Sequence, residues 1–189
     1  MRKLFIIFIL MTALVSAYAQ EYKASFFGIK SNGLTDNTAT IQKAIDFISE
    51  KGGGTLVFYV GRYLTGAVEL KSNVSITLKE GAVIVGSTNI YDYKGHKAIF
   101  YAEGQENIKL SGKGVIDGRG EALVEHFQAQ KSKGYVSEEA VPLPVLIYFK
   151  NCKKISLETL LLRKPAVQDK LYIIEDSEVD VSGCYTDRY

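Results

Sequence analysis

Acid–base, metal or nucleophile chemistry in this chain would have to come from a short inventory of side chains. The two histidines, His96 and His126, lie far from each other and from either cysteine in the chain, so no metal-ligand spacing is spelled out. Cys152 and Cys184 could form one disulfide in an oxidising compartment, but two thiols do not make a disulfide framework, and they read as small buried apolar residues. Breaking a bond with water takes one carboxyl to give a proton and another to activate the water. Asp117, Asp176, Asp180 and Asp187 are the acids weighed for that work. Asp117, between Ile116 and Gly118, fits a turn, while Asp176 and Asp180 flank an expected strand as solvated edges. Asp187 is a single acid near the last residue, and no two aspartates are adjacent anywhere. No residue is therefore assigned as catalytic, as a substrate ligand or as a metal ligand, and no cofactor is expected.

The elements that would position these groups are mostly strands. Lys30-Ser31-Asn32-Gly33-Leu34-Thr35-Asp36-Asn37 is turn chemistry and reads as a loop. Ile41, Ala44, Ile45 and Ile48 then recur at the helical period. Asp36, Asn37 or Thr38 can cap the start, and Gly52-Gly53-Gly54 ends the run, which predicts a helix from about Thr38 to Lys51. From Thr55 the pattern changes to short runs of period two, such as Leu56–Val60, Tyr63-Leu64 and Val68–Leu70, each broken by glycine or a polar turn. One phrase repeats: Val74-x-Ile76-x-Leu78, Ile108-x-Leu110, Ile155-x-Leu157 and Val179-x-Val181. Taken from Ile76, its intervals are 32, 47 and 24 residues, and the shortest is close to one bare coil of a parallel β-solenoid. The longer intervals then hold loops, and the polar segment from Glu121 to Ser137 reads as an insertion able to form a short surface helix. A stack of coils needs covers at both ends. The helix at Thr38 suits the N-terminal one, whereas the chain stops at Tyr189 in mid-repeat, which reads as truncation.

Residues 1–19 read as a signal peptide: Arg2 and Lys3, an apolar run from Leu4 to Val15, and Ala17-Tyr18-Ala19 before the cut. That run, about 12 residues, is too short to span a bilayer, and no later segment is apolar for long enough. Losing Arg2 and Lys3 takes the formal net charge from +2 to zero. With lysine and arginine scattered among acids, a nucleic-acid partner is not expected. Residues 20–189 suffice for one domain, expected as an exported monomer, periplasmic or extracellular, in a bacterium.

Several stretches, in order, resemble the N-terminal part of glycoside hydrolase family 28, the polygalacturonases and their bacterial relatives. They are Phe27–Thr38, Ile41–Asp46, Gly52–Thr55, Gly61–Gly66, Leu70–Val74, Leu78–Ala82, Gly112–Gly120 and Phe149–Cys152. The opening segment is shared with other β-helix proteins, including pectate-lyase-like and phage tail-spike proteins. Ile116-Asp117-Gly118-Arg119-Gly120 and the Asn151-Cys152 coil tilt the likeness to the hydrolases. The resemblance implies an all-β fold, a right-handed parallel β-helix with one N-terminal capping α-helix, and hydrolysis of galacturonide-type linkages with inversion by two carboxyls standing about 6.5–9.5 Å apart. In the family the acids come from Asn-x-Asp and Asp-Asp, with Gly-His-Gly and Arg-x-Lys nearby. None of these motifs occurs here, and His96 follows Gly95 but precedes Lys97. Segment Ser182–Tyr189 resembles the stretch just before the family's Asn-x-Asp coil.

The expectation is therefore the N-terminal portion of an exported pectin-active glycosidase, inactive as this chain, with an acidic plant polysaccharide or oligosaccharide as its partner. A non-catalytic carbohydrate-binding β-helix, using its Lys, Arg and 12 Tyr, is the alternative. A polysaccharide lyase or phage-type β-helix is the third.

Overall fold

The computed structural model describes residues 20–93, 96, 98–137 and 143–187; the proposed signal peptide lies outside them. The chain enters through β1 (Glu21–Lys23), a 3₁₀ turn at Ala24–Phe27, β2 (Asn32–Asp36) and helix α1 (Thr38–Glu50). Each of the next four circuits adds a strand to each of three sheets. The first circuit is β3 (Gly54–Phe58), β4 (Gly61–Thr65) and β5 (Val68–Glu69). The second is β6 (Val74–Leu78), β7 (Ala82–Gly86) and β8 (Ala98–Glu103). The third is β9 (Glu106–Ser111), β10 (Val115–Asp117) and, after helix α2 (Gly120–Ser132), β11 (Val145–Lys150). Then come β12 (Lys153–Glu158), β13 (Leu161–Arg163) and β14 (Tyr172–Glu175), followed by β15 (Val179–Ser182) and β16 (Tyr185–Asp187).

The first sheet is ordered β1-β3-β6-β9-β12-β15, the second β2-β4-β7-β10-β13-β16 and the third β5-β8-β11-β14, with parallel pairing throughout. This is a parallel β-helix. The circuits stack one inward row upon another: Leu56 lies opposite Ile76, Ile76 opposite Leu110 and Leu110 opposite Leu157. On the second sheet Ile84, Ile116 and Leu162 form a similar column. These six residues of the inner columns beyond β3 are sealed from solvent, and full burial of each such side chain stabilises the fold by about 1.5–3 kcal/mol.

The register corrects one sequence expectation. Ile76 faces Leu110, so the second and third circuits are offset by 34 residues and Val74 is level with Ile108. The turn explains the shift: Asn73 and Asn107 both take positive φ (64° and 56°), and the Asn107 amide donates to Asn73 Oδ1 at 3.0 Å. Asparagine tolerates that conformation better than other residues with a Cβ. Gly112, at φ +112°, comes so close to β6 that a Cβ there would stand 2.1 Å from the Leu78 carbonyl oxygen.

Helix α1 lies where the period predicted it and buries Ile41, Ala44, Ile45 and Ile48 against β3, β5 and β6. Asp36 caps it, accepting the Thr38 N–H at 2.8 Å, while the Asn37 side chain is buried and ties Lys30 and Leu64 together instead. The surface helix expected in the polar insertion is α2, which starts at Gly120 and buries Gly120, Leu123 and Phe127. The expected loop at 30–37 contains strand β2, held to β4 only at Asn32–Arg62 and Asp36–Leu64 with an irregular register between. Its turn chemistry is present too, since Asn32 Oδ1 accepts the N–H groups of Leu34 and Thr35.

Candidate functional site: the outward face of the third sheet

The acids weighed from the sequence do not converge. Asp117 ends β10 and is buried; Oδ1 accepts the Arg119 N–H at 3.1 Å, which is the expected turn role. Its Oδ2 accepts Arg163 Nε at 3.2 Å and Nη2 at 2.9 Å from the next circuit, where Arg163 is its register partner. A carboxylate bound this way to a permanently charged guanidinium is a clamp between circuits. Asp176 precedes β15 with φ 46° and is exposed; Asp180 lies inside β15, opposite Ser156, rather than flanking it. Backbone pairing sets Asp187 opposite Arg163. Both histidines are engaged. His126 Nδ1 on α2 accepts the Ile90 N–H at 3.4 Å, and His96 stacks on Tyr101 with ring centroids 4.0 Å apart. The two cysteines are free: Cys152 is buried, as expected, and Cys184 is half-buried.

What the fold does bring together lies on the third sheet. Along β8 the inward residues are Phe100 and Ala102 and the outward ones Tyr101 and Glu103; along β11 they are Ile147 and Phe149 against Tyr148 and Lys150. Parallel pairing aligns them in rows about 4.8 Å apart from strand to strand. One row reads Glu69, Tyr101, Tyr148 and Ile173; the next reads Glu103, Lys150 and Glu175. Lys150 Nζ stands 3.1 Å from Glu103 Oε1, the Tyr148 hydroxyl donates to Glu175 Oε2 at 2.8 Å, and Lys71 Nζ pairs with Glu69 at 2.6 Å.

These contacts shift the titrations. Burial, reinforced by the Glu175 carboxylate, pushes the Tyr148 phenol up to about 12. Burial, with Glu69 beside it, also raises Tyr101. The hydrogen bond and charge of Glu103 hold Lys150 above its ordinary value, so this lysine is a firm cation. A groove of about 620 Å³ opens at the N-terminal end of the face, lined in part by Asp46, Glu69, Lys71, Tyr91, His96 and Tyr101. A second depression of about 930 Å³ lies between the start of α2 and the 164–171 loop, with Glu121, Lys164, Gln168 and Thr186 among its lining. Chemically the face offers aromatic surface with fixed donors and acceptors, suited to an extended ligand with apolar ring faces and polar edges. Its carboxylates are engaged by Lys or Tyr.

The aromatic and charged residues of this face escaped the sequence reading, as did Arg163. The alternation of β8 and β11 marks Tyr101, Glu103, Tyr148 and Lys150 as outward-facing. Only the register places them in common rows.

Fold and face together define a parallel β-helix with one strand-lined polar and aromatic side. No protein-family model matches the chain. A solved structure of a candidate glycosyl hydrolase from Parabacteroides merdae is 44% identical, with a TM-score of 0.85; the match covers 89% of this chain and 75% of that one. The curated exo-poly-α-D-galacturonosidase of Dickeya chrysanthemi is 32% identical over 129 residues, 58% of this chain and 21% of the relative's length. The family 28 exopolygalacturonase of Yersinia enterocolitica shares the fold at 22% identity, with a TM-score of 0.78 over 90% of this chain and 39% of its own. The chain belongs with the glycosyl hydrolase represented by the Parabacteroides structure, and its further relatives and structural neighbours include polygalacturonases. It spans about a fifth of the curated Dickeya relative. Among the described residues no helix is long and apolar enough to cross a membrane.

Proposed function

We propose that residues 20–189 are the N-terminal portion of an exported pectin-active glycosidase, with residues 1–19 as its signal peptide and α1 as the cover of the first circuits. In this reading a galacturonide-containing glycan lies along the outward face of the third sheet. The carboxyls for inverting hydrolysis belong to further circuits, so the chain alone is inactive. The observation that carries the reading is the pair of rows holding Tyr101, Tyr148, Glu103, Lys150 and Glu175 on the third sheet of a chain similar to polygalacturonases. The greater length of the Dickeya relative supports further circuits, and the absence of Asn-x-Asp, Asp-Asp, Gly-His-Gly and Arg-x-Lys supports inactivity. A non-catalytic glycan-binding β-helix, working as a monomer, is the second reading. The engagement of Glu69, Glu103 and Glu175 by Lys or Tyr favours it.

The test has two parts. Reducing-end release from polygalacturonate is measured for the chain as given, and the DNA past the Tyr189 codon is read in all frames for the four motifs in order. A chain that cleaves polygalacturonate by itself refutes the inactivity. Motifs found downstream, with activity restored in the extended frame, support the first reading; a true stop without them leaves the second.

A further inference from the structure

We infer that Lys150 is the residue that reads a glycan's carboxylate on the third-sheet face, and that Glu103 occupies its ammonium in the ligand-free protein as a stand-in for that carboxylate. The inference rests on the glycan-binding reading above.

Three observations lead to it. Lys150 sits in the middle of its row, with Glu103 as its neighbour on one strand and Glu175 on the other. It lies two residues along β11 from Tyr148, on the same side of the sheet, so a sugar ring seated over Tyr101 and Tyr148 has its exocyclic group within reach of the flexible lysine. The two acids beside it are held differently. Glu175 Oε2 accepts the half-buried Tyr148 hydroxyl, whereas Glu103 is 62% exposed and meets Lys150 with one oxygen, Lys150 itself being 40% exposed. An ion pair this open to water is weakly held and exchanges readily. A ligand carboxylate anchored by ring contacts can therefore replace Glu103, while Glu103 turns into solvent with its charge hydrated. The lysines that line the neighbouring groove are Lys43 and Lys71, and Lys71 is held by Glu69 at 2.6 Å. Lys150 keeps its proton through the exchange, because every acid that bears on its titration, Glu103, Glu175 and Asp176, raises it.

Two consequences distinguish a stand-in from a plain surface pair. Lys150 should discriminate a free uronate from its methyl ester, and removing the Glu103 charge should strengthen uronate binding. Calorimetric titration of the full chain with defined oligogalacturonates and with their methyl esters, at low salt, measures both. Wild type should bind the acid form several-fold more tightly than the ester. Lys150→Met should abolish that preference by weakening the acid form more than the ester. Glu103→Gln, which keeps the shape and an acceptor, should tighten the acid form about fivefold, as expected for releasing an exposed ion pair, and by more than it changes the ester. A preference that survives Lys150→Met, or a Glu103→Gln variant that binds the acid form no better than wild type, overturns the assignment. If neither the acid nor the ester binds wild type, the glycan reading itself fails and takes this inference with it.

Discussion

Replacing Arg163 by methionine should destabilise the protein more than any other single change at the second sheet's surface. Asp117 is 5% exposed at its side chain, and Arg163, 28% exposed, supplies two of the three hydrogen bonds its carboxylate receives. Breaking a buried ion pair at one partner costs about 3–5 kcal/mol, because the other charge is left buried and alone. In Arg163→Met the stranded group is the sealed carboxylate, so the full range applies. In Asp117→Asn the stranded group is a guanidinium already more than a quarter open to water, and the Arg119 N–H keeps its acceptor, so about 2–3 kcal/mol is expected. For a chain of this size each kcal/mol lowers Tm by about 2–4 °C. Arg163→Met should therefore melt roughly 6–20 °C below wild type by circular dichroism at neutral pH, and Asp117→Asn roughly 4–12 °C below. The double variant Asp117→Asn/Arg163→Met removes both charges and should lose less than the sum of the two single changes. Because each circuit contacts only its neighbours, hydrogen exchange should rise first in β10 and β13. If the double variant is as unstable as the sum of its single changes, there is no coupling between the side chains and the clamp argument is wrong.

Two further expectations follow from contacts elsewhere in the fold. Tyr148 should ionise only near pH 12, followed as tyrosinate absorbance against a Tyr148→Phe reference, and Glu175→Gln should bring it down. Since its folded value is raised above the ordinary 10.0, the associated stability is complete below pH 10 and is lost as pH climbs toward 12; a Tyr148→Phe protein should lack that part of the alkaline decline. Asn37→Ala removes the side chain that accepts the Lys30 N–H at 2.7 Å and donates to the carbonyls of Lys30 and Leu64, leaving buried groups unpaired. A loss of about 2–4 kcal/mol in urea unfolding is expected, and a change below about 0.5 kcal/mol would show that water replaces the amide without cost.

Much of the architecture was legible because it rests on local patterns. Alternating Val74, Ile76 and Leu78 and their counterparts face the core whatever lies between them, and Ile41, Ala44, Ile45 and Ile48 can share a face only as a helix. Strands such as β1 and β13, three residues long, carry too little alternation to be seen; they exist because a neighbouring circuit supplies partners. The same dependence hides the site. Tyr101 and Tyr148 become neighbours only after α2 and its flanking loops have been set aside, and Asp117 meets Arg163 across the same insertion.

This separation bears on how function is distributed in a β-helix. The inward columns must be apolar and in register in every circuit, so they record the fold and little else. Outward positions on the third sheet are free of that demand, yet each is brought within about 5 Å of its equivalents on adjacent circuits by the same pairing. A row can therefore change its chemistry one circuit at a time: Glu69, Tyr101, Tyr148 and Ile173 occupy equivalent outward places with three kinds of side chain. A long ligand laid across the strands meets a different residue at each step, and losing or gaining a circuit removes or adds one step without disturbing the others. Binding and bond cleavage can then reside in different circuits of one fold. The described circuits of this chain carry the aromatic and ionic rows, and the Asp117–Arg163 clamp holds two of those circuits in the register on which the rows depend.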